Sequence, residues 1–483
     1  MKKLNIYDMN KVNYIYDDSS GMIYEDISNL SEADSKVIEY NKKYMNNYLD
    51  NLKKYSDFNY KKFSPKQLRE YFKSNGMIEM ILKLTDACNM RCEYCIYSKH
   101  YPYTLTYGDS YMKFDVAKKA IDQYMEFIKE QKKVIPDKEP FIAFYGGEPL
   151  LGFETIKKVI DYVEEKYADM KASFTITTNG LLLENDEITK YLKSKNVVIC
   201  LSFDGYKENH DRNRKTVQKK PSYDRLIKLI KDKFFDYTNI YTLCCIDPKT
   251  DLEKLYDFYD KNDRFSGGII PHVLRFTYIF DVDSDYYSEF SQEDIKRSRE
   301  QYAMLRKKYI ENAINEKSDW IIDLLIGQEF IRLVDRMKLS PRSGYYVKDG
   351  CCVPGSKLFV YPNGTYGICE KVCFEGVDLG NVDTGLKMEN IIKQIGDYNK
   401  ALEKCKDCEI ANMCEVCYSH LRSSTCLGGD DELCKARKEH MRDMFKYIMY
   451  IESKNKGYFE RKLVKQAKKN LSYGGDIQKI LNM

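Results

Sequence analysis

Three cysteines in the segment Thr85-Asp86-Ala87-Cys88-Asn89-Met90-Arg91-Cys92-Glu93-Tyr94-Cys95 stand three and then two residues apart, directly behind a mostly apolar run from Met80 to Leu84. Thiols at that spacing can reach one inorganic cluster from a single short loop. Three thiolates on a four-iron cluster leave one iron without a protein ligand, and an open iron lets a cluster bind a small molecule instead of only passing electrons. A zinc loop is the other reading of the same residues. It requires a fourth nitrogen or sulfur ligand, for which His100 is the nearby candidate.

A second field of thiols lies far along the chain, with ten of the sixteen cysteines between Cys351 and Cys434. In a reducing compartment such crowding reads as metal or cluster ligation before disulfides. Tyr361-Pro362-Asn363-Gly364 reads as a hairpin turn that brings Cys352 and Cys369 together as a compact half-site. Cys405, Cys408, Cys414 and Cys417 follow closely, with Cys426 and Cys434 further on. These exceed what one tetrahedral site can use, so two further clusters or two zinc sites are implied. Cys200, Cys244 and Cys245 fall inside apolar runs and read as small buried hydrophobes, while Cys426 sits in a loop and competes as a ligand.

The elements that must position these groups are legible in the periodicity. Short apolar runs at 80–85, 141–145, 173–178, 197–203, 241–246 and 272–280 alternate with helical patterns that include 114–132, 153–167 and 223–233. Continuous apolar strands alternating with helices imply a parallel sheet buried on both faces, and six such units suit a partial (β/α)6 barrel. Functional residues should then sit past the C-terminal ends of the strands. The cysteine loop follows the first strand, Gly146-Gly147-Glu148-Pro149 the second, Thr178-Asn179-Gly180 the third, and Ser202-Phe203-Asp204-Gly205 closes the fourth. Each signal alone is an ordinary turn; their shared placement is the stronger observation.

Ahead of the barrel, 12–27 reads as a hairpin, 32–54 as a helix, and Ser64-Pro65 as the cap and first position of another helix. This α+β module is either a packing lid or a partner-binding element. The pattern from Glu293 to Met337, with the single Trp320, reads as a helical bridge to the cysteine-rich region. A length of 483 residues accommodates two or three domains. No stretch approaches the roughly 18 apolar residues of a membrane span, and Met1-Lys2-Lys3-Leu4-Asn5 lacks an apolar signal core, so a cytoplasmic protein with no membrane partner is expected. A net charge of +4 offers no nucleic-acid footprint.

Together the motifs resemble the radical S-adenosylmethionine (SAM) enzymes. Cys88, Cys92 and Cys95, with the aromatic Tyr94 before the last cysteine, match that family's cluster motif. In the family the open iron chelates the amino and carboxylate groups of SAM, and a deoxyadenosyl radical then abstracts a substrate hydrogen. By the resemblance, Gly146, Gly147, Glu148 and Pro149 form the GGEP loop, with Glu148 accepting from the methionine ammonium. Ser202 and Arg214 would meet the methionine carboxylate or ribose, and Thr178 and Asn179 would shape the same pocket. For Asp211 and Arg214 an ordinary ion pair near a helix start is the alternative, and Asp204 and Gly205 have the alternative of a simple turn.

The second field is similar to the SPASM extension of radical enzymes that modify peptides and proteins, which binds two auxiliary four-iron clusters. That pattern implies Cys352, Cys369 and Cys417 for the first auxiliary cluster and Cys405, Cys408, Cys414 and Cys434 for the second, three clusters in all. Cys351, Cys373 or a substrate thiolate would complete the first. Only Glu415 and Val416 separate Cys414 from Cys417, one residue fewer than the usual pattern, and this resembles a subgroup that crosslinks ribosomal peptides through thioethers.

The expected organisation is therefore a module over 1–75, a barrel over 76–285, a bridge over 286–345, the SPASM region over 346–450 and a helical tail over 451–483. The expected activity is thioether formation in a precursor peptide, held by the leading module through strand addition and reduced by a flavodoxin or ferredoxin. Formylglycine formation in a sulfatase, carbon-carbon crosslinking and epimerisation are the alternatives within the fold. A non-catalytic iron-sulfur or zinc scaffold is the alternative outside it. No residue is assigned as the catalytic acid or base.

Overall fold

All five residues of the strand Glu79–Lys83 are buried, although two of them carry charge. Met80 and Leu82 point into the main core, while Ile81 packs with Ala143 and Phe359 in a separate cluster on the opposite face. A strand covered on both sides is the mark of a parallel sheet. The computed structural model describes residues 3–7, 13–18, 21–25, 63–102, 105–279, 284–336, 352–372, 377–414, 416–420 and 431–472.

The first three strands, β1 (Lys3–Tyr7), β2 (Asn13–Asp17) and β3 (Met22–Glu25), form an antiparallel sheet. The expected hairpin corresponds to β2 and β3; β1 is additional, and the helix expected at 32–54 lies outside the described residues. Ser64 caps the helix Pro65–Tyr71 through a capping box with Gln67, as its sequence predicts.

The barrel strands are β4 (Glu79–Lys83), β5 (Phe141–Tyr145), β6 (Ser173–Thr178), β7 (Val198–Ser202), β8 (Ile240–Ile246) and β9 (Val273–Tyr278), each parallel to the next. Helices cover the outer face. Phe114–Lys132 turns Ala117, Ala120, Ile121, Tyr124, Met125 and Ile128 inward, which is the spacing of one helical stripe.

Two departures from expectation concern the boundaries. The sheet has eight strands, because β10 (Lys357–Val360) pairs parallel with β4 and β11 (Tyr366–Gly367) pairs antiparallel with β10. The cysteine-rich region thus shares the barrel's sheet instead of standing beside it. The helical pattern from Glu293 is not one helix: Gln292–Ile314 ends at Asn315, Glu316 takes a left-handed φ of 54°, and Asp319 caps a new segment from Trp320 to Val334. Trp320 itself lies against His272, at 5.0 Å between ring centroids, just ahead of β9.

The leading sheet docks on the far end of the chain. Asp18, fully buried, accepts from the Asn412 backbone N at 3.1 Å and from Asn412 Nδ2 at 2.5 Å. Arg336 Nε donates to the carbonyl of Gly21 at 2.7 Å. Among the described residues no helix is long and apolar enough to cross a membrane.

Candidate functional site

The cysteine loop starts where β4 leaves the sheet. Lys83 at the strand end pairs with Asp86, and its ammonium lies 5.4 Å from the ring centres of both Tyr97 and Tyr361. Thr85 Oγ1 donates to the carbonyl of Ser110 at 2.7 Å and accepts from the Ala87 N at 3.0 Å, which turns the chain. The loop after β5 is knitted to it: Gly147 N donates to Thr85 O at 2.9 Å and Glu148 N to Ala87 O at 2.8 Å. A Cβ on Gly147 would come within 2.2 Å of the Ala87 carbonyl oxygen, and one on Gly146, at φ +148°, within 2.6 Å of that of Thr85. The glycine pair therefore lets two backbones meet, so that the second strand end braces the cysteine loop.

Glu148 is 1% exposed and its carboxylate is engaged inside the protein. Oε1 accepts from Thr178 Oγ1 at 2.7 Å and from the Leu150 N at 3.1 Å, and Oε2 from the Asn179 N at 2.8 Å. Burial pushes its pKa up to about 7 against these three donors. Glu148 thus clasps the ends of β5 and β6, and one acceptor position of Oε2 remains for an incoming cation. Pro149, buried, opens the short 3-10 turn Pro149–Gly152 that follows.

Asn179 carries the link onward to the cysteines. Its Nδ2 donates to Asn89 Oδ1 at 2.7 Å and lies 3.9 Å from Cys88 Sγ, which the Met90 N also approaches at 3.4 Å. Amide donors at a ligand sulfur are a means of tuning a cluster. Cys88, Cys92 and Cys95 are all half-buried. Burial pushes the Cys88 thiol up to about 12 and moves Cys92 and Cys95 in the same direction, so metal loading must expel protons from this loop. His100, the sequence candidate for a zinc ligand, pairs with Asp285 at 2.6 Å.

The fourth strand end contributes a buried ion pair. Arg214 Nε meets Asp204 Oδ2 at 2.8 Å, Tyr94 donates to the same oxygen at 2.6 Å, and the Cys245 N donates to Oδ1 at 2.9 Å. The Arg214 guanidinium stands 5.3 Å from the Tyr94 ring centre. Asp204 is therefore a hub and not a turn residue. The pairing of Arg214 with Asp211 is corrected as well: Asp211 accepts from the Ser222 and Tyr223 backbone N atoms at 3.0 and 2.9 Å, securing the start of the next helix. His210 is held near a pKa of about 3 by burial, and its neutral ring accepts from the Asp204 N at 3.2 Å. Ser202, half-buried at the end of β7, has no hydrogen bond from its hydroxyl among the described residues and is open to a ligand.

A second carboxylate that the motifs did not mark sits just past β8. Asp247, fully buried, receives both Arg212 guanidinium nitrogens at 2.7 and 2.8 Å, Asn213 Nδ2 at 2.9 Å and the Tyr286 hydroxyl at 2.9 Å. The signal that finds both Asp204 and Asp247 is the strand-end rule itself, applied to every strand.

The second cysteine field is only partly described. Cys352 is exposed ahead of β10 and Cys369 follows β11, so the antiparallel hairpin returns both to one end. Burial pushes the Cys352 thiol up, and Cys417 lies close enough for its charge to add to that. Cys405 and Cys408 share a turn through Cys408 N donating to Cys405 O at 3.1 Å. Cys414 accepts from Arg437 Nη1 at 3.4 Å, and Lys438 feels the charges of both Cys408 and Cys434. Cys351, Cys373 and Cys426 lie outside the described residues. Among the described residues no three His, Cys, Asp or Glu side chains gather as around a single metal ion. A four-iron cube instead takes its thiolates at separate corners. The loop of Cys88, Cys92 and Cys95, with amide donors at the Cys88 sulfur, fits that group.

Residues 82–259 match the model of the radical SAM superfamily. The chain is 25% identical over 393 residues to a cysteine-type anaerobic sulfatase-maturating enzyme of Clostridium novyi, covering 77% of this chain and 97% of that one. It is 24% identical over 354 residues to the radical SAM cyclopropyl synthase TigE of Paramaledivibacter caminithermalis, covering 72% and 67% respectively. Among solved structures, native anSMEcpe with bound AdoMet and Kp18Cys peptide shares the fold with a TM-score of 0.53 and 18% identity, over 78% of this chain and 99% of that one. The matched span lies within the barrel that carries the cysteine loop and the clasp of Glu148, so this enzyme carries a radical SAM domain, a fold that implies a four-iron cluster and SAM.

Proposed function

We propose that this enzyme forms a thioether between a cysteine sulfur and a carbon of another residue in a ribosomally made precursor peptide. When bound, the four-iron cluster and SAM supply a deoxyadenosyl radical that removes a hydrogen atom from substrate. Cys88, Cys92 and Cys95 would hold that cluster, Asn179 would orient and tune it, and the free acceptor position of Glu148 would take the ammonium of SAM. Ser202 and Arg214 would border the rest of the cofactor, the latter fixed by Asp204.

What supports the thioether reading is the thiol of Cys352, which the β10–β11 hairpin returns to the same end as Cys369, with Cys417 close by; because β10 runs parallel to β4 with Lys357 opposite Glu79, this group stands at the N-terminal end of β4 and the cysteine loop past its C-terminal end. Cys352 is exposed there. An auxiliary cluster held there by Cys352, Cys369 and Cys417 would serve as the acceptor of the electron that carbon-sulfur bond formation releases. Cys405, Cys408, Cys414 and Cys434 would hold a further cluster. Carbon-sulfur bond formation would remove one C–H and one S–H bond from the peptide: the deoxyadenosyl radical takes the C–H hydrogen atom, the thiol proton leaves to solvent, and the remaining electron passes to the auxiliary cluster.

A second reading, oxidation of a protein cysteine or serine to formylglycine, is favoured by the sulfatase-maturating relatives that align over most of this chain. Mass spectrometry of peptides encoded beside the gene, and of a sulfatase-derived cysteine peptide, separates the two. Loss of two hydrogens with a cysteine that no longer alkylates supports the thioether. Replacement of sulfur by an aldehyde that captures a hydrazide supports formylglycine and overturns it.

A further inference from the structure

The cysteine loop has a second, outward-facing neighbour that the strand-end set does not use. Residues 215–220, Lys215-Thr216-Val217-Gln218-Lys219-Lys220, form a tight hairpin zipped to the loop by backbone bonds. Arg91 N donates to Lys215 O at 2.8 Å and Val217 N to Asn89 O at 3.2 Å, and Met90 and Thr216 form an antiparallel bridge. The hairpin closes on itself through Lys219 N to Thr216 O at 2.8 Å and Thr216 N to Lys220 O at 3.0 Å. Lys219 holds a left-handed φ of 59°, a position at which glycine or asparagine is the usual choice.

What this hairpin shows to solvent is basic and partly apolar. Val217 is 46% exposed, and Gln218, Lys219 and Lys220 are exposed beside it. Lys219 and Lys220 have no carboxylate partner among the described residues, whereas Lys215 at the base of the hairpin pairs with Glu93 of the cysteine loop at 3.7 Å. The adjoining open cavity, of about 350 Å³, is lined by Asn89, the residue next to Cys88, by Thr216 and Gln218, and by Glu184, whose charge Arg225 pairs at 2.6 Å.

We propose that this hairpin and cavity are the docking surface for an acidic protein electron carrier that reduces the cluster on Cys88, Cys92 and Cys95. The proposal rests on the radical SAM function above. The barrel mouth must admit the peptide, so the electron needs a different face, and here the cluster loop is one backbone ribbon away from solvent. Exposed lysines around a small apolar contact suit a transient redox encounter, in which charge sets the association rate and little area is buried.

The test compares Lys219→Glu with Lys220→Glu, combined in the full-length reconstituted enzyme, against the parent. An acidic flavodoxin with its reductase serves as one electron source and dithionite as the other. Flavodoxin-driven deoxyadenosine formation should fall by about tenfold or more in the variant and lose its salt dependence, while the dithionite-driven rate is unchanged. Flavodoxin binding to the immobilised enzyme should weaken in parallel. Unchanged flavodoxin-driven turnover and binding overturn the proposal. So does an equal loss with dithionite, which makes the hairpin a support of the cluster loop, or a loss confined to peptide modification, which makes it a substrate surface. A parent enzyme that forms no deoxyadenosine with either source contradicts the radical function instead.

Discussion

The hydroxyl of Tyr94, within the cysteine loop, donates to the carboxylate of Asp204 at 2.6 Å across 110 residues of sequence. This bond joins the first and fourth strand ends of the barrel around the buried guanidinium of Arg214. Two substitutions separate its parts. Tyr94→Phe removes one donor from a carboxylate that keeps two others and should cost about 1.5–3 kcal/mol in urea unfolding of the metal-free protein. Asp204→Asn leaves Arg214 buried without a counter-charge and should cost about 3–5 kcal/mol. The reverse order would remove Asp204 from the centre of the network.

Glu148 makes stability depend on pH. Its folded pKa, about 7, stands above the ordinary 4.5, so between these values the folded state binds more protons than the unfolded one. Its contribution is greatest below the unfolded value and is lost as pH rises through about 7, a change on the order of 3 kcal/mol. The difference in unfolding free energy between Glu148→Gln and the parent should therefore shift in favour of the variant from pH 5 to pH 8. A difference that stays flat over that range would place Glu148 in a solvated setting.

Gly147→Ala forces a Cβ to within 2.2 Å of a backbone oxygen of the cysteine loop. Because backbone cannot swing aside as a side chain can, the loop must move. Anaerobic reconstitution of this variant should yield the iron of the auxiliary clusters and little of the SAM-dependent signal, at a stability cost of about 1–3 kcal/mol. Wild-type SAM cleavage would show that the close approach is dispensable.

Much of this site was legible because parallel barrels concentrate chemistry at strand ends. The strands at 141–145 and 173–178 fall where their apolar runs place them, and Gly146, Glu148, Thr178, Asn179 and Ser202 all come together there. What periodicity could not reveal was partnership. Glu148 looks like a ligand acceptor in sequence, yet its first partners are Thr178 and Asn179, thirty residues on. Asp204 looks like a turn, and Arg214 looks like a partner for its near neighbour Asp211. The hairpin turn at Tyr361-Pro362-Asn363-Gly364 was legible and β10 and β11 flank it, but its joining to the barrel was hidden, since the pairing of Lys357–Val360 with β4 spans more than half of the chain. The break after Ile314 was missed because the polar linker 315–319 carries neither glycine nor proline.

The leading module has a measurable structural task. Asp18 accepts from both nitrogens of Asn412, two residues before Cys414. Asp18→Ala leaves that half-buried backbone donor without its carboxylate, at about 1–3 kcal/mol. Iron content should fall from about twelve per chain toward about eight if the cluster assigned to Cys405, Cys408, Cys414 and Cys434 is the one disturbed. Unchanged iron would show that the module does not support that loop.

The most direct measurement is SAM cleavage by a protein in which Cys88, Cys92 and Cys95 are all changed to Ala. Reconstituted anaerobically and reduced with dithionite, the variant should form no deoxyadenosine while the auxiliary clusters remain visible by their absorbance. Deoxyadenosine production at the parent rate would contradict the assignment of the cysteine loop as the radical centre.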